Sequence, residues 1–164
     1  MRFTSVPLDQ AHDATAFRCG ADSLDSWLVE HALNEMRRGT ARVWVWLDET
    51  GLVVAYYSLS ASKVSREDVP TKLGRGGPRE IPAVLVGRLA LDRSLRGQEL
   101  GEVLLADALS RIVDATRTVG ARLVVVDALH EKAAAFYERY GFRRVPGSLH
   151  LVQKVADITA SHDD

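Results

Sequence analysis

Residues 81–126 read IPAVLVGRLALDRSLRGQELGEVLLADALSRIVDATRTVGARLVVV, and the changes of period along this stretch mark out a strand, a turn, a helix and a second strand. Ile81–Leu91 is a dense apolar run with Pro82 at its start, where a missing backbone N–H is tolerated, so it reads as a strand. Residues 93–98 read as a turn. From Glu99 the apolar positions change to helical spacing, with Leu100, Val103, Leu104, Ala108, Leu109 and Ile112 on one face and an end near Gly120. Leu123–Val126 is short, continuously apolar and mostly β-branched, as expected of a central strand parallel to the first. The junction Arg96-Gly97-Gln98-Glu99-Leu100-Gly101 lies between a buried strand and a helix start. Unpaired backbone N–H groups and the positive end of the helix dipole suit such a place to a phosphate or pyrophosphate. Gly97 and Gly101 let the backbone come close to an anion, and Arg96 can add a side-chain donor. The spacing is neither a Walker sequence nor a dinucleotide fingerprint.

On the N-terminal side, residues 2–8 read as a short first strand. Asp22 or Ser23 is expected to cap a helix carrying Leu24, Trp27, Leu28, Ala32 and Met36 at helical spacing, closed by Gly39. Residues 41–47 and 52–61 read as an antiparallel hairpin about a turn at Asp48–Gly51. Residues 62–80 hold Pro70, Gly74, Gly76, Gly77 and Pro78 and read as a long irregular connection, rich in Lys63, Arg66, Lys72, Arg75 and Arg79. That connection is either a solvated linker or a contact surface for a polyanion. On the C-terminal side, a second helix spans Glu131–Tyr140, stopped by Gly141. Residues 142–145 and 149–155 close the sheet as an antiparallel pair. The expected fold is α/β, in three layers or open-faced, with one domain over residues 1–156 and a frayed polar tail over 157–164.

At 164 residues and 18.0 kDa the chain is the size of one ordinary domain. Apolar residues at 46% and charged residues at 26% describe a packed globular protein and exclude a disordered one. Twenty-one Lys plus Arg against 22 Asp plus Glu exclude a uniformly basic nucleic-acid protein, while a local basic face stays open. Cys19 is the one cysteine, so an intrachain disulfide and a cysteine-rich zinc site are excluded, and no metal is expected. Met1-Arg2-Phe3-Thr4 lacks the apolar run of a signal peptide, and no apolar stretch approaches a membrane span. The expected location is the cytoplasm.

The segment Ala135-Phe136-Tyr137-Glu138-Arg139-Tyr140-Gly141-Phe142 concentrates aromatic residues that cannot all face one side of a helix. Phe136 and Tyr140, four apart, are expected to share the buried stripe. Tyr137 is then turned toward the sheet edge, where its hydroxyl can meet a ligand.

Val86-Gly87-Arg88-Leu89-Ala90-Leu91-Asp92, then Arg96–Gly101 with Leu104-Leu105 behind it, then Phe136–Phe142 resemble the Gcn5-related N-acetyltransferase superfamily, along essentially the whole chain. Phe17-Arg18-Cys19-Gly20, Leu24-Asp25-Ser26-Trp27-Leu28, Tyr56-Tyr57-Ser58-Leu59 and the Ile81-Pro82 start extend the resemblance to the aminoacyl-tRNA acetylating toxins of bacterial type II toxin–antitoxin pairs. The resemblance implies a mixed central sheet with a V-shaped split between two parallel strands, in which acetyl-CoA lies. It implies pantetheine pairing with Leu89, Ala90 and Leu91, and pyrophosphate on the turn Arg96, Gly97, Gln98, Glu99, Leu100 and Gly101, with Phe136 also at the cofactor. Tyr137 matches the tyrosine that acts as general acid on the leaving thiolate, in a direct attack by an amine on the thioester.

For the toxins the implied acceptor is the α-amine of aminoacyl-tRNA, whose acetylation blocks translation. Candidate tRNA contacts are Arg37, Arg38 and Arg42, then Lys63, Arg66, Lys72, Arg75 and Arg79, with Arg88 and Arg93 beside the acyl site. The resemblance further implies a ribbon-helix-helix antitoxin, DNA contact only through the antitoxin complex, and a homodimer. An N-acetyltransferase for a small amine or a protein N-terminus would share the core motifs. A non-catalytic module binding acyl-CoA or a partner is the reading from another class. Glu99 departs from the superfamily pattern, which has glycine there, and places a negative side chain where backbone approaches the pyrophosphate.

Overall fold

Seven strands hydrogen-bond in the order β1-β2-β3-β4-β5-β7-β6 in a computed structural model that describes residues 3–163. In chain order the elements are β1 (Val6–Pro7), α1 (Asp22–Glu30), α2 (Ala32–Arg38), β2 (Arg42–Leu47) and β3 (Val53–Ser65). Then follow α3 (Thr71–Gly74), β4 (Glu80–Leu91), α4 (Leu100–Ala115), β5 (Leu123–Asp127), α5 (Glu131–Arg139), β6 (Arg143–Arg144), β7 (His150–Lys154) and α6 (Val155–Asp163). The β4–β5 pair is parallel, and β1–β2, β2–β3, β5–β7 and β6–β7 are antiparallel. The sheet is therefore mixed and carries helices between its strands, as expected for the fold class. Arg2 of the expected first strand and Asp164 of the expected tail, like Met1, lie outside the described residues.

The chain divides into two compact units, one running to Ser60 and including Gly87–Ala108, the other Ala61–Val86 with the chain from Leu109 onward. Within the first unit, two apolar clusters form, divided between alternate side chains along β2 and the end of β4. Val43, Val45, Tyr56 and Ala90 pack with Phe17, Trp27, Leu28 and Ala32 of the α1–α2 region. Trp46, Val54, Ala55 and Tyr57 pack with Leu95 and with Leu100, Leu104 and Ala108 of α4, joined by Leu89 and Leu91. This period-2 division is what places α1 and α4 on opposite faces of the strands of this unit. Within the second unit, Ile81, Ala83, Leu123, Val125 and Val152 pack with Val69 and Leu73 from the β3–β4 connection.

Several expectations shift. The helix read over residues 22–39 is broken at His31 (φ −124°, ψ −27°) into α1 and α2, with Gly39 closing α2 in the left-handed region at φ 76°. Neither Asp22 nor Ser23 caps it: the N-cap position is Ala21, with no side-chain cap bond, and Asp22 sits in the first turn, complementing the dipole instead. The 62–80 connection is partly ordered: β3 continues to Ser65, a 3-10 turn spans Arg66–Asp68, and α3 follows, because Val69 and Leu73 supply apolar anchors. Helix α4 ends at Ala115, earlier than Gly120, and Val103 is exposed rather than on the buried face. The tail is helical as α6, with Val155 and Ile158 buried.

Candidate active site

In the first unit, β4 delivers the chain into a tightly held turn. The Asp92 carboxylate accepts the Ser94 N–H at 3.0 Å and the Arg18 N–H at 2.8 Å, and Leu95 plugs into the α4 cluster. Partial burial works to raise the Asp92 carboxyl, but these N–H donors and Arg93 outweigh it and hold the group below the usual carboxylate range. Gly97 then turns at φ 79°, and Glu99, an exposed residue, adopts φ 58°, a left-handed conformation that costs an L side chain energy and that glycine takes readily. Leu100 opens the 16-residue helix α4, whose first backbone N–H groups lack intrahelical acceptors by the geometry of any helix start. Arg96 is exposed, and its Nη2 donates to the Cys19 carbonyl at 2.9 Å.

The parallel register of β4 with β5 runs from Ala83↔Leu123 to Val86↔Val126 and stops there. Gly87–Leu91 continues β4 beyond that ladder. Within this stretch Leu89 and Leu91 pack toward the α4 cluster and Ala90 toward α1, so the side chains are committed to the core. What the segment can offer a ligand is backbone. Arg88 lies with its guanidinium 3.9 Å from the Trp27 ring centroid, and Trp27 stacks on Tyr56 at 6.1 Å and 10°. The Tyr56 hydroxyl donates to the Leu24 carbonyl at 2.7 Å.

The second unit holds the aromatic helix. His130 takes the N-cap, its Nδ1 accepting the Ala133 N–H at 3.1 Å. The stripe on α5 is the reverse of the one expected: Ala134 and Tyr137 are buried, while Phe136 and Tyr140 are half-buried and meet each other at 5.1 Å. The Tyr137 ring is held edge-on between Phe136 at 5.3 Å and Phe142 at 5.7 Å. Burial first, and the charge of Asp127 second, push the Tyr137 phenol well above its ordinary value, so it stays protonated through the neutral range. Asp127 ends β5 and pairs with Nδ1 of His150, the residue opposite it in the β5–β7 register. Sequence reading singled out neither group, since only the strand register brings residue 150 to residue 127.

The basic candidates fall into both units. Arg37 and Arg38 occupy the exposed last turn of α2, Arg42 donates to the Met36 carbonyl at 3.0 Å, and Arg93 is exposed in the turn. In the second unit Lys72, Arg75 and Arg79 are exposed in the β3–β4 connection. Lys63 pairs with Glu80 at 3.1 Å, and Arg66 donates to the Gly77 carbonyl at 3.1 Å. Arg66, Glu67, Thr71, Gly74, Arg75 and Gly76 line a cavity of about 300 Å³ there. Among the described residues no helix is long and apolar enough to cross a membrane, and no cluster of three or more His, Cys, Asp or Glu side chains could hold a metal ion.

Residues 39–144 match the family model described as acetyltransferase (GNAT) domain, and the chain belongs to that family. Within it, the chain is 38% identical over 154 residues to a tRNA-acetylating toxin of Mycobacterium tuberculosis, covering 93% of this chain and 92% of the relative. It is therefore a member of the family of those toxins. The fold is similar to AtaT complexed with acetyl-methionyl-tRNAfMet (TM-score 0.89, 30% identity, 98% and 99% of the two chains). It is likewise similar to AtaTR bound with AcCoA (TM-score 0.84, 31% identity, 98% of each chain). Similar structures also include a tyrosine-to-phenylalanine mutant of the AtaT toxin bound to the C-terminus of the antitoxin AtaR and the AtaT–AtaR complex bound to DNA, at TM-scores of 0.86 and 0.78 and 30% identity.

Proposed function

We propose that this protein is a toxin that transfers the acetyl group of acetyl-CoA to the α-amine of aminoacyl-tRNA and so blocks translation. The observation that carries the reading is the likeness, over nearly the full chain, to a tRNA-acetylating toxin. Acetyl-CoA binds along the backbone of Leu89, Ala90 and Leu91 and on the turn from Arg96 to Gly101, and Tyr137 is the general acid. The neutral α-amine attacks the thioester carbonyl, the C–S bond breaks, and the amine proton and the thiolate are balanced as amide plus free thiol. An α-amine titrates near 7.7 to 8.0, against about 10.4 for lysine, so much of it is already unprotonated and a strong base is dispensable.

The raised Tyr137 phenol refines its role. A free thiol titrates near 8.5, so a phenol above 10 is the weaker acid and does not hand its proton to a separated thiolate. It shares the proton as the C–S bond breaks, stabilising charge as it forms on sulfur. Arg37, Arg38, Arg42, Lys72, Arg75, Arg79, Arg88 and Arg93 contribute tRNA contacts, with Lys63 already partly neutralised by Glu80. The partners are a ribbon-helix-helix antitoxin, DNA through that complex and a second copy of the chain, in the cytoplasm. The test is transfer of radiolabelled acetyl from acetyl-CoA to total charged tRNA, with deacylated tRNA as control. Label on the charged pool alone supports the reading; label on free amines or on protein, with none on tRNA, contradicts it.

A further inference from the structure

The segment Phe17-Arg18-Cys19-Gly20 has no part in the chemistry above, yet it is bound at several points to the turn that leads into α4. The Arg18 N–H donates to Asp92 Oδ1 at 2.8 Å, and the Arg93 N–H donates back to the Arg18 carbonyl at 2.8 Å. The Cys19 carbonyl accepts from Arg96 Nη2 at 2.9 Å. Gly20 stands at φ 96°, and a Cβ added there would collide with that same Nη2. The segment is anchored behind by Phe17, 1% exposed and edge-on to Tyr56 at 5.5 Å, and by buried Asp25 of α1, whose Oδ1 accepts the Cys19 N–H at 3.0 Å.

Cys19 itself is not poised to react: burial, with the Asp25 carboxylate beside it, pushes its thiol up to about 11, so the thiolate is scarce at neutral pH. The absence of a side chain at Gly20 is what admits the guanidinium to the Cys19 carbonyl. The sequence alone cast Arg96 as a phosphate donor; in the structure it is exposed and its Nη2 donates to the Cys19 carbonyl.

We propose that Phe17–Gly20 is a clasp that holds the 92–96 turn in shape for the cofactor, and that Arg96 serves acetyl-CoA binding as a positioning residue through Cys19 and Gly20. This rests on the reading that the turn from Arg96 to Gly101 receives the pyrophosphate. It also ties that turn to α1, so the cofactor turn and the first helix are held as one piece.

The test is calorimetric titration of acetyl-CoA into wild type, Gly20→Ala, Arg96→Met and the double variant, at low and high salt. Gly20→Ala displaces the guanidinium and Arg96→Met removes it, so each weakens binding on the order of 10-fold and the double variant is no weaker than Arg96→Met. The salt dependence of Arg96→Met stays that of the wild type, because this guanidinium does not neutralise a phosphate. Losses that multiply to roughly 100-fold, wild-type affinity in Gly20→Ala, or a flattened salt dependence in Arg96→Met overturn the clasp. Should Gly20→Ala not fold, the salt comparison on Arg96→Met alone decides. Wild type that does not bind acetyl-CoA overturns the cofactor reading, and the clasp with it.

Discussion

Glu99 combines a left-handed backbone with a negative side chain at the turn assigned to the pyrophosphate, and glycine there separates into two measurable effects. For the fold, an L residue at φ 58° costs roughly 1 kcal/mol, while glycine costs about 0.5–1 kcal/mol in extra unfolded-chain entropy. Glu99→Gly is therefore expected to change stability by no more than about 1 kcal/mol, toward the folded state, or about 2–4 °C in Tm. For the ligand, a carboxylate and one phosphate charge about 6 Å apart in water-like dielectric repel by roughly a factor of 3 in affinity, and two such charges by about 10. The assay is acetyl-CoA titration against wild type, Glu99→Gly and Glu99→Gln. The glutamine variant removes the charge and keeps the backbone strain. Both variants should bind about 10-fold tighter at low salt, with the gap closing near 1 M salt, where the screening length falls to about 3 Å. Equal dissociation constants for all three at low salt would sink the electrostatic explanation, and a gap that survives high salt would assign the effect to backbone shape instead.

Tyr137→Phe should lower turnover by about 10² or more while the acetyl-CoA dissociation constant stays within about twofold, read by single-turnover transfer beside calorimetry. Tyr56 and Tyr137 both hold phenols raised by burial, whereas an unfolded phenol titrates near 10. Between that value and the folded one only the unfolded chain ionises, so stability is full below pH ~10 and falls as pH rises above it; urea midpoints at pH 9 and 11 should differ, and by less in Tyr56→Phe. Replacing Lys72, Arg75 and Arg79 together by alanine should weaken tRNA binding and reduce its logarithmic salt slope by about 0.9 for each phosphate left unneutralised, seen in filter binding over a salt series. Leu104, fully buried against the strands of its unit, should cost about 2–5 kcal/mol as alanine in denaturant unfolding.

The strand, turn, helix and strand over 81–126 were legible because each change of element is a change of hydrophobic period. So were the 41–61 hairpin and the helix after β5. The break at His31 was not, since neither glycine nor proline marks it. The aromatic stripe on α5 runs against the four-residue spacing, which favours Phe136 with Tyr140. Tyr137 is the buried ring, and Phe142, outside the helix, packs edge-on to it. Glutamate gives no sign of a left-handed conformation, so Glu99 stood out only against a family pattern. The Arg96 hydrogen bond is to Cys19, 77 residues away in sequence, and the Asp127–His150 pair depends on register between β5 and β7. Local patterns carry the elements; pairings across the sequence carry the details of the site.

Acetyl transfer to the aminoacyl end of tRNA is read without intermediaries by mass analysis of the 3′-terminal aminoacyl-adenosine, released by nuclease from charged tRNA after incubation with acetyl-CoA and the protein. The expected result is a gain of one acetyl group on the α-amine with wild type and almost none with Tyr137→Phe. Unmodified aminoacyl-adenosine with wild-type protein that binds acetyl-CoA would contradict it.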